Sequence, residues 1–324
     1  MEVQEYKVDI IVPVYNVEKY IEASVESICK QNFDSFRVIL VNDGTKDNSI
    51  AVALKILEQH HTPYKIIEQE NRGLPAARNT GLRNATAKYV VFVDSDDIIS
   101  ENFIERLYNA CEENGVFAAF SEYEVTHLNN RNGNDHLFNG IKVLTRDELL
   151  FSNMTRNIKI HLCAILINRE FLIKNNLWFN ETLRFGEEVD YTWRMYPLLN
   201  QIVHVKAKMY KYLVRENSLM TNQNTDRVIT MLDAVHTDLE EWYSRSPGDR
   251  VKYKWAEQKI YFEKVHAFAQ QAKYSTFLDL LKRTDYKNRV KVLRDFPDIK
   301  IRVLSLALRI CPYSFWLLFQ LHKL

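Results

Sequence analysis

The sequence predicts an α/β protein, a doubly wound sheet followed by a C-terminal helical domain. Residues 89–97 (YVVFVDSDD) run through five apolar or aromatic side chains without alternation and end in Asp94, Asp96 and Asp97. That is the pattern of a strand buried on both faces, with ligand-binding groups at the carboxyl edge of its sheet. Up to about Val125, strand patterns alternate with helical ones at intervals of roughly 25–30 residues, as βαβ units do. From about Thr225 onward glycine occurs once, at Gly248, and strand signals fade into helical periodicity. A chain of 324 residues, 46 % apolar, holds one large domain with an appendage, or two domains.

The first strand is residues 7–14 (KVDIIVPV), which Pro13 should end because proline gives a central ladder no donor. Residues 17–31 have helical spacing at Tyr20, Ile21, Val25 and Ile28. Residues 37–41 (RVILV) form a second strand, closed by the turn Asn42-Asp43-Gly44. Asp47 or Asn48 caps a helix that runs to about His60. Residues 64–68 form a third strand, and after the turn Asn71-Arg72-Gly73 a helix over 74–85 carries Arg78 and Asn79. Beyond the fourth strand, Ser100 is expected to cap a helix to Asn114, before a fifth strand over 117–125.

Residues 128–140 are rich in Asn and Gly and suit an exposed turn. Strands over 158–168 and a short helix over 169–176 precede a second acidic cluster, Phe185-Gly186-Glu187-Glu188-Val189-Asp190, which continues with helical spacing to Leu199. Residues 202–205 and 209–214 look like strands, and Arg215–Ser218 follow. Helices are then expected over 226–243, 251–273, 276–295 and 301–310, where Arg302, Ser305 and Arg309 form a polar stripe. Pro312 breaks that helix before the aromatic stretch 313–321 and His322-Lys323.

Net charge is +1, but its distribution is uneven: from Arg250 onward there are 16 Lys and Arg against six Asp and Glu, and before it 27 against 36. A basic tail of this kind suits an anionic surface. Two readings of 301–324 stand: an amphipathic anchor at an anionic membrane surface, or core packing on the helical domain. The cysteines, Cys29, Cys111, Cys163 and Cys311, have no CxxC spacing and are expected to be reduced thiols. His60, His61, His161 and His204 have no ligand spacing. The N-terminus lacks a signal-peptide pattern, and no run of about 20 residues is apolar without charge, so the expectation is a cytoplasmic protein, peripheral at the inner face of the plasma membrane. No nucleic-acid motif accompanies the basic residues. G-x-G-x-x-G and P-loop patterns are also absent, so a ligand's phosphates need another device, and a carboxylate-held metal is one.

Five motifs occur in order: IIVPVYN at 10–16, VNDGTKDNS at 41–49, NRGLPAARNTGL at 71–82, VFVDSDD at 91–97 and FGEEVDYTWR at 185–194. Together they resemble a bacterial family 2 glycosyltransferase over about residues 7–220. The resemblance implies a GT-A fold with a doubly wound mixed sheet. It also implies inverting transfer of a sugar from a nucleotide diphosphate donor, usually UDP, with Mn²⁺ or Mg²⁺. By position, Pro13 and Tyr15 resemble residues flanking base and ribose, and Asp43 the aspartate that accepts from the uracil ring. Arg78 resembles the basic residue near the diphosphate. Asp94 and Asp96 match the DxD pair on ribose and metal. Glu188 falls at the catalytic-base position, where the family usually has aspartate; with Glu187-Glu188 here, Glu187, Glu188 and Asp190 are all candidates. Tyr212 and Arg215 lie where the family often closes the donor site. The implied acceptor is a growing bacterial surface glycan: capsule, lipid-linked saccharide or adhesin glycan.

A carboxylate suits proton removal from an acceptor hydroxyl, and a metal on the diphosphate suits leaving-group charge. The expected organisation is a catalytic domain over 1–220 and a basic helical domain over 221–324. A catalytically silent nucleotide-sugar-binding or scaffold subunit is the alternative, kept by the Glu187-Glu188 departure. A nucleotidyltransferase would need a Gly-rich first loop, which residues 13–16 are not.

Overall fold

A computed structural model describes residues 5–127, 138–155, 157–214, 224–245 and 250–321. Two compact units result. The first comprises Met1–Leu150, Lys159–Thr182 and Met195–Glu216. The second comprises Phe151–Ile158, Leu183–Arg194 and Asn217–Leu324.

The first unit is built on β1 (Val8–Val14), α1 (Ile21–Cys29), β2 (Phe36–Asn42), α2 (Ser49–Gln59), β3 (Tyr64–Glu68), α3 (Leu74–Asn84) and β4 (Tyr89–Phe92). It continues with β5 (Ile98–Ile99), α4 (Phe103–Asn114), β6 (Ala118–His127), β7 (Ile141–Thr145), the first five residues of α5 (Arg146–Met154), β8 (Ile165–Asn168) and α6 (Arg169–Lys174). After α7 (Glu187–Met195), β9 (Gln201–Val214) completes the sheet. Among the described residues the strand order is β3-β2-β1-β4-β8-β6-β9-β5, with β7 also on β9. β3, β2, β1 and β4 are parallel, whereas β8 is antiparallel to both β4 and β6, so the sheet is mixed. Strand order reverses between β1 and β4, and open α/β sheets bind ligands at the carboxyl ends of strands at such a point.

Every residue of β1 is buried, as the unbroken apolar run requires, and this includes Asp9. Its carboxylate accepts from Arg37 Nε (3.0 Å) and Nη2 (3.1 Å), and from the amides of Thr86 (2.6 Å) and Ala87 (2.9 Å). One buried carboxylate thus ties β2 and the turn before β4 to β1. Helix α3 reaches β1 through Gly81, where a Cβ would lie 2.2 Å from Ile11 Cγ2.

Several boundaries differ from the sequence reading. Proline at 13 does not stop β1, which continues to Val14. Ser100 does not cap α4 with its side chain; Gln31 Oε1, from the end of α1, accepts from the Ile104 amide at 3.0 Å. Of the two proposed caps for α2, Asp47 is the one engaged, its Oδ1 accepting from Ser49 N at 3.1 Å. Within 158–168 only Ile165–Asn168 is a strand, and the two segments between 201 and 214 are a single strand. The expected turn at 128–140 lies outside the described residues up to 137, as do Arg215–Ser218, Gly248 and His322-Lys323.

The second unit contains α8 (Thr225–Arg245), α9 (Arg250–Gln271), α10 (Tyr274–Arg283), α11 (Tyr286–Lys291), α12 (Ile299–Ile310) and α13 (Pro312–Leu321). Residues 276–295 are not one helix: Asp285 has φ +46°, and Thr284 Oγ1 hydrogen-bonds the Leu280 carbonyl (2.7 Å) and Tyr261 Oη (2.8 Å), which breaks the run. Within this unit Arg194 of α7 donates to buried Asp190 at 2.6 Å and lies 3.4 Å from Asp238 of α8. Burial pushes the Asp238 carboxyl up to about 7, reinforced by its hydrogen bond to Asp190 and by the charges of Asp190 and Glu241, against Arg194.

Asp9→Ala should cost about 3 kcal/mol, because it strands Arg37 and two amides; urea unfolding measures it, and a change under about 0.5 kcal/mol would remove Asp9 as the tie. A carboxyl whose folded pKa is raised to about 7 binds a proton that the unfolded chain lacks, so stability falls as pH rises through it. Unfolding free energy should drop by on the order of 1 kcal/mol between pH 6 and 8 from this group, and Asp238→Asn should flatten the slope.

Candidate active site

The residues singled out in the first unit meet at the carboxyl edge of β1, β2 and β4. Pro13 is in β1, paired in register with Val41 of β2. Tyr15 follows β1 and is 45 % exposed, which leaves an aromatic face for a planar ligand. Asn16, at φ +52°, clips this loop to the next: its amide donates to Thr45 Oγ1 at 2.7 Å, and its Oδ1 accepts from Lys46 N at 3.2 Å.

Asp43 follows β2 and is nearly buried. Its Oδ1 accepts from Gln69 Nε2 (2.7 Å) and Arg72 N (2.9 Å), and its Oδ2 from Gly73 N (2.9 Å). The carboxylate therefore orders the β3–α3 loop. A carboxylate has about four acceptor positions, so one remains, on Oδ2. Gly73 turns into α3 at φ +89°.

Helix α3 carries Arg78 fully out of solvent, and its Nη2 donates to Asp94 Oδ1 at 2.8 Å. The guanidinium also lies 5.3 Å from the Phe179 ring and 3.7 Å from Cys163 Sγ. Asn79 clamps the same wall: it accepts from Phe179 N (2.8 Å) and donates to the Phe179 carbonyl (2.9 Å). Burial alone would push the Asp94 carboxyl up; Arg78, and then His161, outweigh it and hold the group below the usual range. Asp94 thus stays ionised.

The three acidic residues after β4 do different things. Asp96 is 8 % exposed and Asp97 is fully buried. Asp97 accepts from Tyr210 Oη (2.6 Å) and Leu213 N (2.9 Å), so it fastens the turn to β9. Burial, and then the charges of Asp96 and Asp94, push the Asp97 carboxyl well above the usual range. Asp94 and Asp96 carry the hard oxygen donors that Mn²⁺ or Mg²⁺ takes. The residues present fit such an ion.

Of the wall around Asp94, sequence reasoning named Tyr212 alone and missed His161, Tyr123 and Tyr210. His161 stacks on Tyr210 (5.2 Å, 24°), and its Nδ1 accepts from Cys163 N at 3.3 Å. Tyr123 and Tyr212 also lie against the His161 ring. No spacing rule connects these residues; pairing of β6 and β9 and the turn at Leu162–Ala164 do. Arg215 lies outside the described residues.

Glu188 belongs to the second unit. It sits half-buried in the first turn of α7, after Gly186 at φ +72°. A Cβ at Gly186 would lie 2.6 Å from Met231 Cγ, and Lys264 lies 4.7 Å over the Phe185 ring, so α8 and α9 hold this loop. The Thr192 hydroxyl donates to the Glu188 carbonyl at 2.7 Å. Asp190 is 1 % exposed and engaged by Arg194.

Residues 9–174 match the model of glycosyl transferase family 2. The glycosyltransferase GlyA of Streptococcus pneumoniae is 32 % identical over 243 residues, 71 % of this chain; the chain spans only about a third, 34 %, of GlyA. The Escherichia coli UDP-Glc:α-D-GlcNAc-diphosphoundecaprenol β-1,3-glucosyltransferase WfgD is 28 % identical over 222 residues, covering 68 % of this chain and 81 % of WfgD. In fold, the chain resembles Staphylococcus aureus TarS residues 1–349, whose crystal structure holds UDP-GlcNAc. The TM-score is 0.71 at 20 % identity, over 93 % of this chain and 91 % of that one. The mixed sheet, nine strands among the described residues, with its C-terminal helices is thus a GT-A fold. On its match over residues 9–174 and on these relatives, the chain belongs to glycosyl transferase family 2.

Proposed function

We propose that the chain is a metal-dependent inverting glycosyltransferase that moves one sugar from a UDP-sugar to a hydroxyl of a bacterial surface glycan: capsule, lipid-linked saccharide or adhesin glycan. The observation that carries this reading is the sheet edge where exposed Tyr15, Asp43 with one acceptor position left, the Arg78–Asp94 pair and Asp96 converge. WfgD, named for a UDP-Glc donor and a lipid-linked acceptor, and TarS, holding UDP-GlcNAc, support the donor and acceptor classes.

In this reading Pro13 and Tyr15 flank base and ribose. The remaining Asp43 acceptor position takes the uracil ring N–H. Arg78 keeps Asp94 ionised, so that Asp94 accepts from ribose, and lends positive potential on the diphosphate side. Asp96, with Asp94 beside it, would hold Mn²⁺ or Mg²⁺, which when bound offsets leaving-group charge as a Lewis acid. Glu188 takes the acceptor hydroxyl's proton as the new C1–O bond forms and the bond to the diphosphate breaks, a role worth roughly 10²–10⁴-fold in rate. Asp190 is spent on Arg194, which favours the Glu187-Glu188 pair as the source of the base.

Residues 1–220 act as the catalytic domain. Residues 221–324 form a basic helical domain that keeps the enzyme peripheral at the inner face of the plasma membrane. The departure at Glu187-Glu188 supports one rival, a silent nucleotide-sugar-binding or scaffold subunit, which would release no UDP from any UDP-sugar with Mn²⁺.

Asp96→Asn should weaken Mn²⁺-dependent UDP binding, measured by calorimetry, by about tenfold or more; unchanged affinity would remove Asp96 as a ligand. Glu188→Gln should keep UDP affinity and lower turnover by about 10²-fold or more. Full turnover in that variant would shift the base to Glu187.

A further inference from the structure

Helix α12 faces outward with its apolar side. Ile299, Val303, Leu306 and Ile310 recur at steps of three or four residues and so share one face. They are 63, 60, 54 and 74 % exposed. Packing is supplied by the other side, where Ser305 and Leu308 are buried. The polar stripe expected from the sequence is therefore split: Ser305 turns inward, its hydroxyl donating to the Arg302 carbonyl at 2.9 Å, while Arg302 and Arg309 stay exposed.

Apolar exposure continues on α13 at Tyr313, Leu317 and Leu318. That helix is fastened to α9: Phe315 is buried, Trp316 Nε1 donates to the Ala272 carbonyl (3.1 Å) and Gln320 Nε2 to the Ala269 carbonyl (2.7 Å). The outward side chains are thus held outward by a packed helix pair. Three exposed cations, Lys300, Arg302 and Arg309, flank them, and the sequence has no acidic residue after Asp298. Among the described residues none of the three is ion-paired.

We propose that this face docks on an anionic phospholipid bilayer, with the α12 stripe and the exposed α13 residues seated at the headgroup–acyl boundary and Lys300, Arg302 and Arg309 meeting lipid phosphates. Charge complementarity selects this occupant. A second copy packed on the same face would bring the same cations together with no acid on the stripe to meet them. The binding mode is in-plane: α12 has 12 residues, about 18 Å of helix, and no described helix is long and apolar enough to cross a membrane. This sharpens the proposed membrane placement and is independent of the transfer chemistry.

Flotation of the full chain with phosphatidylglycerol-containing vesicles tests it, with pure phosphatidylcholine vesicles alongside. The wild type should float with the first and not the second. Val303→Ser/Leu306→Ser/Ile310→Ser, all at exposed positions, should weaken binding by about tenfold or more at an unchanged melting temperature. Arg302→Gln/Arg309→Gln should weaken it by about fivefold per charge and reduce its salt sensitivity. Three results would each overturn the proposal: no flotation with anionic vesicles, equal flotation of the triple variant, or a wild-type dimer that the triple variant converts to monomer without vesicle binding. UDP release by the same proteins without vesicles tests the catalytic reading separately.

Discussion

The Arg78 guanidinium has no solvent exposure, and its Nη2 donates to Asp94 Oδ1. An ion taken out of water costs several kcal/mol unless it is paired in good geometry. The position of α3, the exit of β4 and the charge state of Asp94 are therefore one constraint. Gly81 lets α3 come close enough to β1 to satisfy it, and the Phe179 segment, clamped by Asn79, closes the wall behind the guanidinium.

The acidic turn is organised by that constraint. On either side of Asp96, Asp94 is paired with Arg78 and Asp97 is committed to Tyr210 and Leu213. Its two neighbours differ in charge state for a physical reason. Asp94 has a cation in contact and stays ionised; Asp97 is pushed the other way by burial and then by the charges of Asp96 and Asp94. Asp43 repeats the theme at β2: a carboxylate nearly filled by donors of its own chain, with one position over.

In the second unit a close approach again does the positioning. Gly186 lies against Met231, which sets where α7 begins and so where Glu187 and Glu188 stand on it. The carboxylate pair Asp190 and Asp238 shares Arg194 between α7 and α8. This helix start and the parallel half of the sheet are different solutions to one requirement, that a charged side chain be aimed by something that cannot move.

Much was legible in the sequence. Unbroken apolar runs sufficed for β1, β2 and β4, because burial on both faces leaves a pattern independent of what lies opposite. Turn chemistry at Asp43-Gly44 and after β4 marked the ligand edge for the same local reason. The burial of Asp190 was not legible, since Arg194 is one helical turn away but Asp238, which meets both, comes from α8. The cap on α4 came from Gln31, some 70 residues away in sequence, so no local signal announced it. The histidine and tyrosines beside Asp94 are joined by strand pairing and by the turn at Leu162–Ala164. On helix α12 the expected polar stripe of Arg302, Ser305 and Arg309 was split, because periodicity tells which residues share a face and not which face turns inward. Local pattern thus determined the elements and the family's motifs, while the tertiary structure decided which charges are paired and which side of the last helices meets solvent.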